Sequence, residues 1–448
     1  MIRCFPLAII FLFLSCNSDN AASDNEEVNT KFIGEIDWIK NYGGSGEDTA
    51  KSIILTADGG YAVFGFSNST DGDMSQKTSE VNDYWLLKLD AEGNIIWSKT
   101  YGGSKDDRGQ RVKQTADLGY IIIGYSQSSD GDASNNEGFH DNWILKLNAS
   151  GNVEWERSFG FSGHDHAYDV LQTTDGGYFF VGFVDVTASG GAGADSNKGR
   201  LITRHGVGEF WGTKLDGQGN LEWRHYFGGT ANDRAYGVVQ SNDGGFVLAG
   251  STESSDFDVT HNNGSYDFWV IKITNSGELV WEKSFGGTGI DSAASISKTS
   301  DNGYVITGST FSLDMDVSHQ NGGSDVWLIK IDDNGQLVWE KTYGGQEFDA
   351  AENVSLCANG GFLVSGNSKS NDFDLSTNKG ENDFWFIKTD ENGHIIWQTT
   401  FGGANLDFGF DAKENFDGSI VLVGETLSDN FEGLQNKGKT DAVVIKIK

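Results

Sequence analysis

One short stretch of this acidic chain gathers residue types that can bind a transition metal or exchange protons. It contains the run His164-Asp165-His166, and a ten-residue insertion shortly afterwards brings two arginines and a further histidine. Imidazole next to carboxylate suits either chemistry near neutral pH. We therefore predict a ligand-binding role for His164, Asp165, His166, Arg200, Arg204 and His205. The alternative is a tolerated insertion with incidental histidines.

A second set of residues suits a harder cation. Asp-x-Asp pairs recur in polar loops, and Ca²⁺ takes six to eight oxygen ligands from such groups. The spacing does not continue as in an EF-hand, and solvated acidic loops are the alternative. The predicted metal residues are Asp71, Asp73, Asp130, Asp132, Asp256, Asp258, Asp314, Asp316, Asp372 and Asp374.

A third acidic feature occurs once in every repeat of the chain. An aspartate follows each Tyr/Phe-Gly start, and its position before a strand predicts a negative ring at the mouth of a channel. The alternative is that each aspartate caps a turn or pairs with a lysine that also recurs. The members are Asp48, Asp107, Asp165, Asp233, Asp291, Asp349 and Asp407.

The elements that position these residues repeat with a period of 58. Trp97 and Trp155 are 58 residues apart, the motif recurs seven times, and each period holds four strand signals. Four antiparallel strands at fixed spacing predict an all-β, seven-bladed β-propeller. The predicted blades are approximately 43–101, 102–159, 160–227, 228–285, 286–343, 344–401, and 402–448 completed by 32–42. The N-terminal strand should pair with the C-terminal strand and close the ring.

Strand parity predicts which face of the ring binds ligands. The turns between the first and second strands and between the third and fourth strands are short. The connections at the opposite end are long, and they carry every candidate residue named above. We expect that face to be functional.

The run WSKTYGGSKDDRGQRVKQTADLGYIIIGYSQSSDGD, followed by DNWILKLNASGNVEWERSFG, covers residues 97–132 and 141–160. It resembles the seven-bladed β-propeller repeat, of the SBBP type, found in bacterial secreted and surface proteins. The resemblance extends over residues 32–448. It implies a propeller fold and a surface location, and it implies no catalytic residues.

The N-terminus predicts export. Residues 1–16 hold one arginine, an apolar run and Cys16, and they resemble a lipoprotein signal in which Cys16 is lipidated. An ordinary secretory signal ending near a cysteine is the alternative. Residues 17–31 read as a disordered acidic tether. We expect an outer-membrane or cell-surface lipoprotein of a Gram-negative bacterium, which touches the membrane only through its lipid.

The net charge of the chain limits the classes of molecule that it is expected to bind. The formal net charge of −33 disfavours nucleic acid and anionic lipid. Cys357 occupies a position that is threonine in other repeats, so we predict that it is a buried packing residue and not a nucleophile. We predict a monomeric, non-enzymatic scaffold without certain cofactors, Ca²⁺ being possible, that presents acidic loops to a glycan or an extracellular protein. The alternatives are a carbohydrate-active enzyme such as a glycosidase and a purely structural envelope protein.

Overall fold

The fold is a ring of seven four-stranded antiparallel sheets, in a computed structural model that describes residues 32–74, 76–192 and 205–448. Cys16, Arg200 and Arg204 lie outside the described residues. Blade 1 is formed by β2–β5, blade 2 by β6–β9, blade 3 by β10–β13, blade 4 by β14–β17, blade 5 by β18–β21 and blade 6 by β22–β25. Blade 7 contains β26, β27, β30 and β1. The predicted seven-bladed propeller is confirmed.

The strands are β1 (Ile36–Tyr42), β2 (Asp48–Leu55), β3 (Tyr61–Ser67), β4 (Asp83–Leu89), β5 (Ile95–Tyr101), β6 (Asp107–Gln114), β7 (Tyr120–Ser126), β8 (Asp141–Leu147), β9 (Val153–Phe159), β10 (His166–Gln172), β11 (Tyr178–Val184), β12 (Glu209–Leu215), β13 (Leu221–Phe227), β14 (Asp233–Gln240), β15 (Phe246–Thr252), β16 (Asp267–Ile273), β17 (Leu279–Phe285), β18 (Asp291–Lys298), β19 (Tyr304–Thr310), β20 (Asp325–Ile331), β21 (Leu337–Tyr343), β22 (Asp349–Leu356), β23 (Phe362–Ser368), β24 (Asp383–Thr389), β25 (Ile395–Phe401), β26 (Asp407–Glu414), β27 (Ile420–Thr426), β28 (Asn430–Phe431), β29 (Leu434–Gln435) and β30 (Asp441–Ile447). The strands β28 and β29 form a small separate hairpin. One 3₁₀ turn, Gly72–Met74, interrupts a loop of blade 1.

The two ends of the propeller chain close the ring within blade 7. β1 pairs with β30 in antiparallel register, from Ile36 opposite Ile447 to Tyr42 opposite Ala442. The backbone N–H of Gly34 also donates to the carbonyl of Lys448 at 2.8 Å. This pairing places β30 between β27 and β1 and makes β1 the outer strand of blade 7, so the ring is closed as the sequence predicted.

The core lies between neighbouring blades rather than within one sheet. The second and third strands of each blade are buried on both faces, which explains why their sequences are apolar at successive positions. The tryptophan of each third strand from blade 1 to blade 6 is at most 2% exposed. Ile53, Tyr61 and Trp85 of blade 1 pack in one cluster with Val421 and Val444 of blade 7, so packing is continuous around the ring.

No helix among the described residues is long and apolar enough to cross a membrane.

Candidate functional site

Each first strand contains a β-bulge three residues after its opening aspartate. In blade 1 the register shifts between Ala50 and Ser52, which leaves Lys51 unpaired. The second strand is glycine opposite Ala50 because the chain is crowded there: a Cβ on Gly65 would lie 2.0 Å from the Thr49 carbonyl oxygen. A bulge re-aims its side chain. Here the bulges turn one side chain per blade toward the central channel.

All seven bulge residues line a single cavity of about 380 Å³ in the channel. This volume is typical of small-molecule sites. Phe348, which precedes β22 in a long connection, also lines the cavity and shows that it lies toward the face of long loops. We call this space the bulge cavity. The seven side chains are Lys51, Gln110, Tyr168, Tyr236, Ala294, Glu352 and Phe410.

The bulge cavity combines aromatic surface with the basic side chains of Lys51 and Arg111 and the carboxyl group of Glu352. The rings of Tyr168 and Tyr236 lie 4.9 Å apart at 52°, and Lys51 Nζ lies 3.3 Å from the centre of the Phe410 ring. Desolvation lowers the pKa of Lys51, although Glu425 and Glu352 oppose the shift. Desolvation by the surrounding protein raises the pKa of Glu352, and Lys51 opposes it. The cavity can therefore offer both hydrogen-bond donors and acceptors beside aromatic faces.

An ionic layer lines the channel next to the bulge cavity, around a further cavity of about 170 Å³. Asp411 accepts a hydrogen bond from Asn353 Nδ2 at 2.5 Å and pairs with Lys413. Arg111 lies 3.5 Å from Asp169 and 3.7 Å from Asp411. Backbone N–H groups of the first strands also donate to these two aspartates. The layer is fixed by several partners at once, which gives the bulge cavity a rigid floor.

The seven aspartates expected to ring the channel mouth are placed differently. All have 0% exposure, so they cannot present a negative ring to solvent. Asp48 is representative: its carboxylate accepts hydrogen bonds from Gly44 N–H at 2.7 Å, Ser67 Oγ at 2.5 Å and Ser69 Oγ at 2.8 Å. Burial raises the pKa of Asp48 against these three contacts. The aspartates join the two long connections of a blade, which corrects the expected placement.

The Asp-x-Asp pairs serve the same connections. Asp71 Oδ1 accepts a hydrogen bond from Ser45 N–H at 2.7 Å, and Asp73 Oδ2 accepts one from Gly43 N–H at 2.9 Å. Each of the other four pairs receives two equivalent backbone N–H groups. Across the described residues, no group of three carboxylates brings its oxygens within 4.8 Å of one another. Ca²⁺ binding by these pairs stays a prediction.

The predicted residues of blade 3 separate in the structure. His164 and His166 lie together at the junction with blade 2, where His140 joins them. Asp165 instead turns inward and accepts hydrogen bonds from Phe161 N–H at 2.7 Å and Asp185 N–H at 2.8 Å. His205 stacks on Phe257 with ring centres 5.0 Å apart and lies 3.2 Å from Glu209.

The trio His140, His164 and His166 is the group of three or more His, Cys, Asp or Glu side chains in the described ranges whose ligand atoms lie within 4.8 Å of one another. Desolvation, with His164 close by, lowers the pKa of His140 to about 4. Desolvation, together with the neighbouring His140 and His164, lowers the pKa of His166 to about 3. Both rings are therefore neutral at pH 7, which is the form that coordinates metals.

Sequence reasoning missed His140 and the bulge residues. His140 is 24 residues from His164, and only the pairing of neighbouring blades brings them together. The bulge residues carry a usable signal, because they vary between blades while the aspartate three residues earlier is constant. That contrast indicates a position at which packing of the repeated blade does not fix the residue type.

No family model matches the chain. The regulatory protein FlaEY of Caulobacter vibrioides is 27% identical over 175 residues, which cover 36% of this chain and 18% of that protein. The chain thus spans less than one fifth of that relative. The WD40 β-propeller domain of Doa1 has a TM-score of 0.49 at 11% identity, covering 92% of this chain and 97% of that chain. BamB from Moraxella catarrhalis has a TM-score of 0.40 at 12% identity, covering 90% and 99%.

Proposed function

We propose that this protein is a non-enzymatic binding scaffold that takes a small polar ligand, such as a sugar unit of a glycan, in the bulge cavity. One observation carries the proposal: all seven bulge residues face the same cavity, and they are of six different types. Packing of a repeated scaffold does not require such variety. A cavity with a few polar groups among aromatic rings is the usual form of a small-molecule site.

The chemistry of the lining favours a neutral, hydroxyl-rich ligand. Gln110, Glu352 and Lys51 supply acceptors and donors on different sides of the cavity, and Tyr168 and Tyr236 supply aromatic surface with hydroxyl groups. Sugars present both hydroxyls and apolar C–H faces, which match such a lining. The chain's net charge of −33 repels anionic ligands at longer range.

The lining also favours binding over hydrolysis. A glycosidase of the usual kind needs two carboxyl groups flanking one glycosidic bond. Among the residues that line the bulge cavity, Glu352 is the single carboxylate. Asp169 and Asp411 belong to the ionic floor, where cations and backbone N–H groups occupy them.

Glycan-array screening followed by calorimetry tests the proposal. We expect a glycan to bind wild-type protein, and we expect Tyr236→Ala and Glu352→Gln each to weaken binding at least about tenfold, since each removes a contact of about 1.4 kcal/mol or more. Phe416→Ala is the matched aromatic control. Phe416 is fully exposed at the turn between β26 and β27, on the opposite face.

Three results would count against the proposal. Release of reducing ends from a bound polysaccharide, abolished in Glu352→Gln, would favour the enzyme. Binding that survives both cavity variants would place the ligand elsewhere. If no glycan binds or shifts the melting temperature, the purely structural alternative is favoured.

We also propose export as a surface lipoprotein anchored through Cys16. The support is the sequence of residues 1–16, with a single arginine, an apolar run and then the cysteine. Metabolic labelling with palmitate tests it. Label should enter wild-type protein and be absent from Cys16→Ser; a labelled variant, or an unlabelled wild type, would favour an ordinary secretory signal.

A further inference from the structure

The junction between blades 2 and 3 differs from the other six in its histidines. His140 directly precedes β8, whereas His164 and His166 lie where the chain enters β10. At the other six junctions, none of the three corresponding positions is a histidine; at the blade 5–6 junction they are Ser324, Phe348 and Ala350. Three of the eight histidines in the chain thus meet at one point. We infer that His140, His164 and His166 form a binding site for a transition-metal ion such as Zn²⁺ or Co²⁺.

The distances between ring nitrogens fit one shared ion. His140 Nδ1 lies 3.0 Å from His164 Nδ1 and 3.0 Å from His166 Nε2. Nitrogens bound to Zn²⁺ at about 2.0–2.1 Å lie roughly 3.4 Å apart in a tetrahedron and roughly 2.9 Å apart on an octahedral face. Two of the three separations fall at this scale, and the ligand atoms of His164 and His166 lie within 4.8 Å of each other, so a modest movement of the rings brings all three onto one ion.

Hydrogen bonds among the three rings cannot satisfy all three of these nitrogens at once. His140 Nδ1 carries either one N–H or one lone pair in the plane of its ring, yet it faces two other nitrogens at equal distance. One of those two contacts must share the same site on His140. An ion among the three rings instead takes one lone pair from each, which satisfies all three nitrogens.

Two outer partners contact the ring nitrogens that face away from the centre. The side-chain amide of Gln127 lies 2.6 Å from His140 Nε2, and the Tyr168 hydroxyl lies 3.5 Å from His166 Nδ1. The Gln127 atom at this distance is the amide nitrogen, so coordination through His140 Nδ1 requires the amide to turn and present Oε1 to His140 Nε2–H, while the Tyr168 hydroxyl can accept from His166 Nδ1–H. The lone pairs of His140 Nδ1 and His166 Nε2 then face the shared point. Metal-binding histidines are typically oriented in this way.

The surroundings hold the rings before any ion arrives. His166 stacks on Tyr125 with centres 4.0 Å apart and planes 11° apart, and Phe139 lies against His164 at 4.8 Å. The backbone joins the two blades here, since Asp165 N–H donates to the His140 carbonyl at 2.8 Å. His164 is exposed, so the fourth position of a three-histidine site opens to solvent. Solvent or an external ligand can reach a metal ion there.

The site differs in chemistry from the bulge cavity and does not depend on the proposed glycan. Three imidazoles and no carboxylate suit Zn²⁺, Co²⁺, Ni²⁺ or Cu²⁺, whereas Ca²⁺ prefers oxygen. Tyr168 is shared, because its side chain lines the bulge cavity and its hydroxyl reaches His166. The experiment therefore leaves Tyr168 unchanged.

Metal titration of the full chain without a polyhistidine tag, stripped beforehand with a chelator, tests the site. We expect one equivalent of Co²⁺ to bind with visible d–d absorption, one equivalent of Zn²⁺ to displace it, and Ca²⁺ to leave the spectrum unchanged. His140→Ala, His164→Ala and His166→Ala should each lower the affinity for Co²⁺ at least about 100-fold. The matched control is the double variant His319→Ala/His394→Ala, which removes two exposed histidines elsewhere and should bind as wild type.

His164→Ala is the decisive variant because the side chain is exposed and its loss should leave the melting temperature of the metal-free protein unchanged. If that folded variant retains wild-type affinity for Co²⁺, the proposal is wrong. It is equally wrong if wild-type protein binds no stoichiometric Co²⁺ or Zn²⁺, or if Ca²⁺ displaces Co²⁺ at equal concentration.

Discussion

The junctions between blades 5 and 6 and between blades 2 and 3 use the same buried aspartate with different partners. In blade 6, Asp349 accepts hydrogen bonds from the hydroxyls of Ser368 and Ser370 as well as from a backbone N–H. In blade 3, Asp165 keeps only backbone donors among its hydrogen bonds, because Val184 and Val186 stand where the serines would be.

The comparison shows which positions of the repeat are needed for the stability of every blade and which positions can vary. Burial raises the pKa of Asp165 to about 7, and hydrogen bonds from Asp185 and Phe161 oppose this shift. The same junction carries the histidine trio, while the blade 5–6 junction has none of its residues. The positions that build every blade are constant, and the residues of both proposed sites lie at positions where the blades differ.

Replacing the buried aspartate should give the largest difference in stability between the two junctions. Asp349→Ala leaves two hydroxyls and one backbone N–H without their acceptor, so we expect the free energy of unfolding to fall by about 3–5 kcal/mol. Asp165→Ala strands only two backbone donors and should cost about 1–3 kcal/mol. Urea unfolding of both variants measures the contrast, and equal losses would show that the two hydroxyls contribute nothing.

The second prediction concerns the outer partner of His140. Gln127→Ala removes the amide that orients the His140 ring, so we expect the affinity for Co²⁺ to fall about 10–100-fold with one equivalent still bound. Gln127→Glu supplies a carboxylate acceptor for His140 Nε2–H, the tautomer that metal binding through Nδ1 requires, and should recover most of the affinity. Titration followed by absorption gives both values. A loss that Gln127→Glu does not recover would contradict a positioning role.

The third prediction tests a charge buried at the regular junction. Asp325 Oδ1 has no hydrogen-bond partner, while Oδ2 accepts the Asn321 N–H at 2.6 Å. Desolvation, together with Asp349 and Asp374, raises the pKa of Asp325 to about 6, against the backbone hydrogen bond. Because the folded pKa exceeds the unfolded one, this group favours folding below about pH 4 and loses that contribution as the pH rises through about 6.

Asp325→Asn removes this titration. We expect the variant to exceed wild type by about 1–2 kcal/mol in unfolding free energy at pH 7, with the difference disappearing near pH 4. Asp429→Asn, at an exposed loop position, is the control and should match wild type at both values of pH. A gain in stability that does not depend on pH would show that the Asp325 charge is not its cause.

The smallest effect should come from Cys357. Burial raises the pKa of its thiol to about 12, and threonine occupies the same position in blades 1, 2, 3 and 5. Cys357→Thr should therefore change the free energy of unfolding by less than about 1 kcal/mol. Thermal melting measures it, and a large loss would show that blade 6 packs differently from its neighbours.

The repeat made the fold predictable from the sequence, because the 58-residue period, the turn signals and the apolar second strands recur in phase. The complementary ends, a fourth-strand motif at Ile36–Tyr42 and a third-strand motif at Asp441–Ile447, predicted the closing blade. Asp48 and its equivalents were recognised as a set, but the Asp48 carboxylate accepts from hydroxyls some 20 residues away that no local pattern links to it.

The two candidate sites were harder to predict for a physical reason. His140 meets His164 only through pairing between blades, and Lys51 and Glu352 meet only in the channel that the closed ring creates. Both sites are assembled from residues of different repeats. A period read along the chain identifies equivalent positions, and only the three-dimensional ring shows which different positions become neighbours.

The pairing of β1 with β30 has a mechanical consequence. Because Ile36 lies opposite Ile447, the two ends of the propeller emerge side by side from the same end of one ladder. A pull that separates these ends loads the rungs one after another, as in opening a zipper, instead of shearing them all at once. Tension between the termini should therefore peel β1 away at low force while the other six blades remain intact.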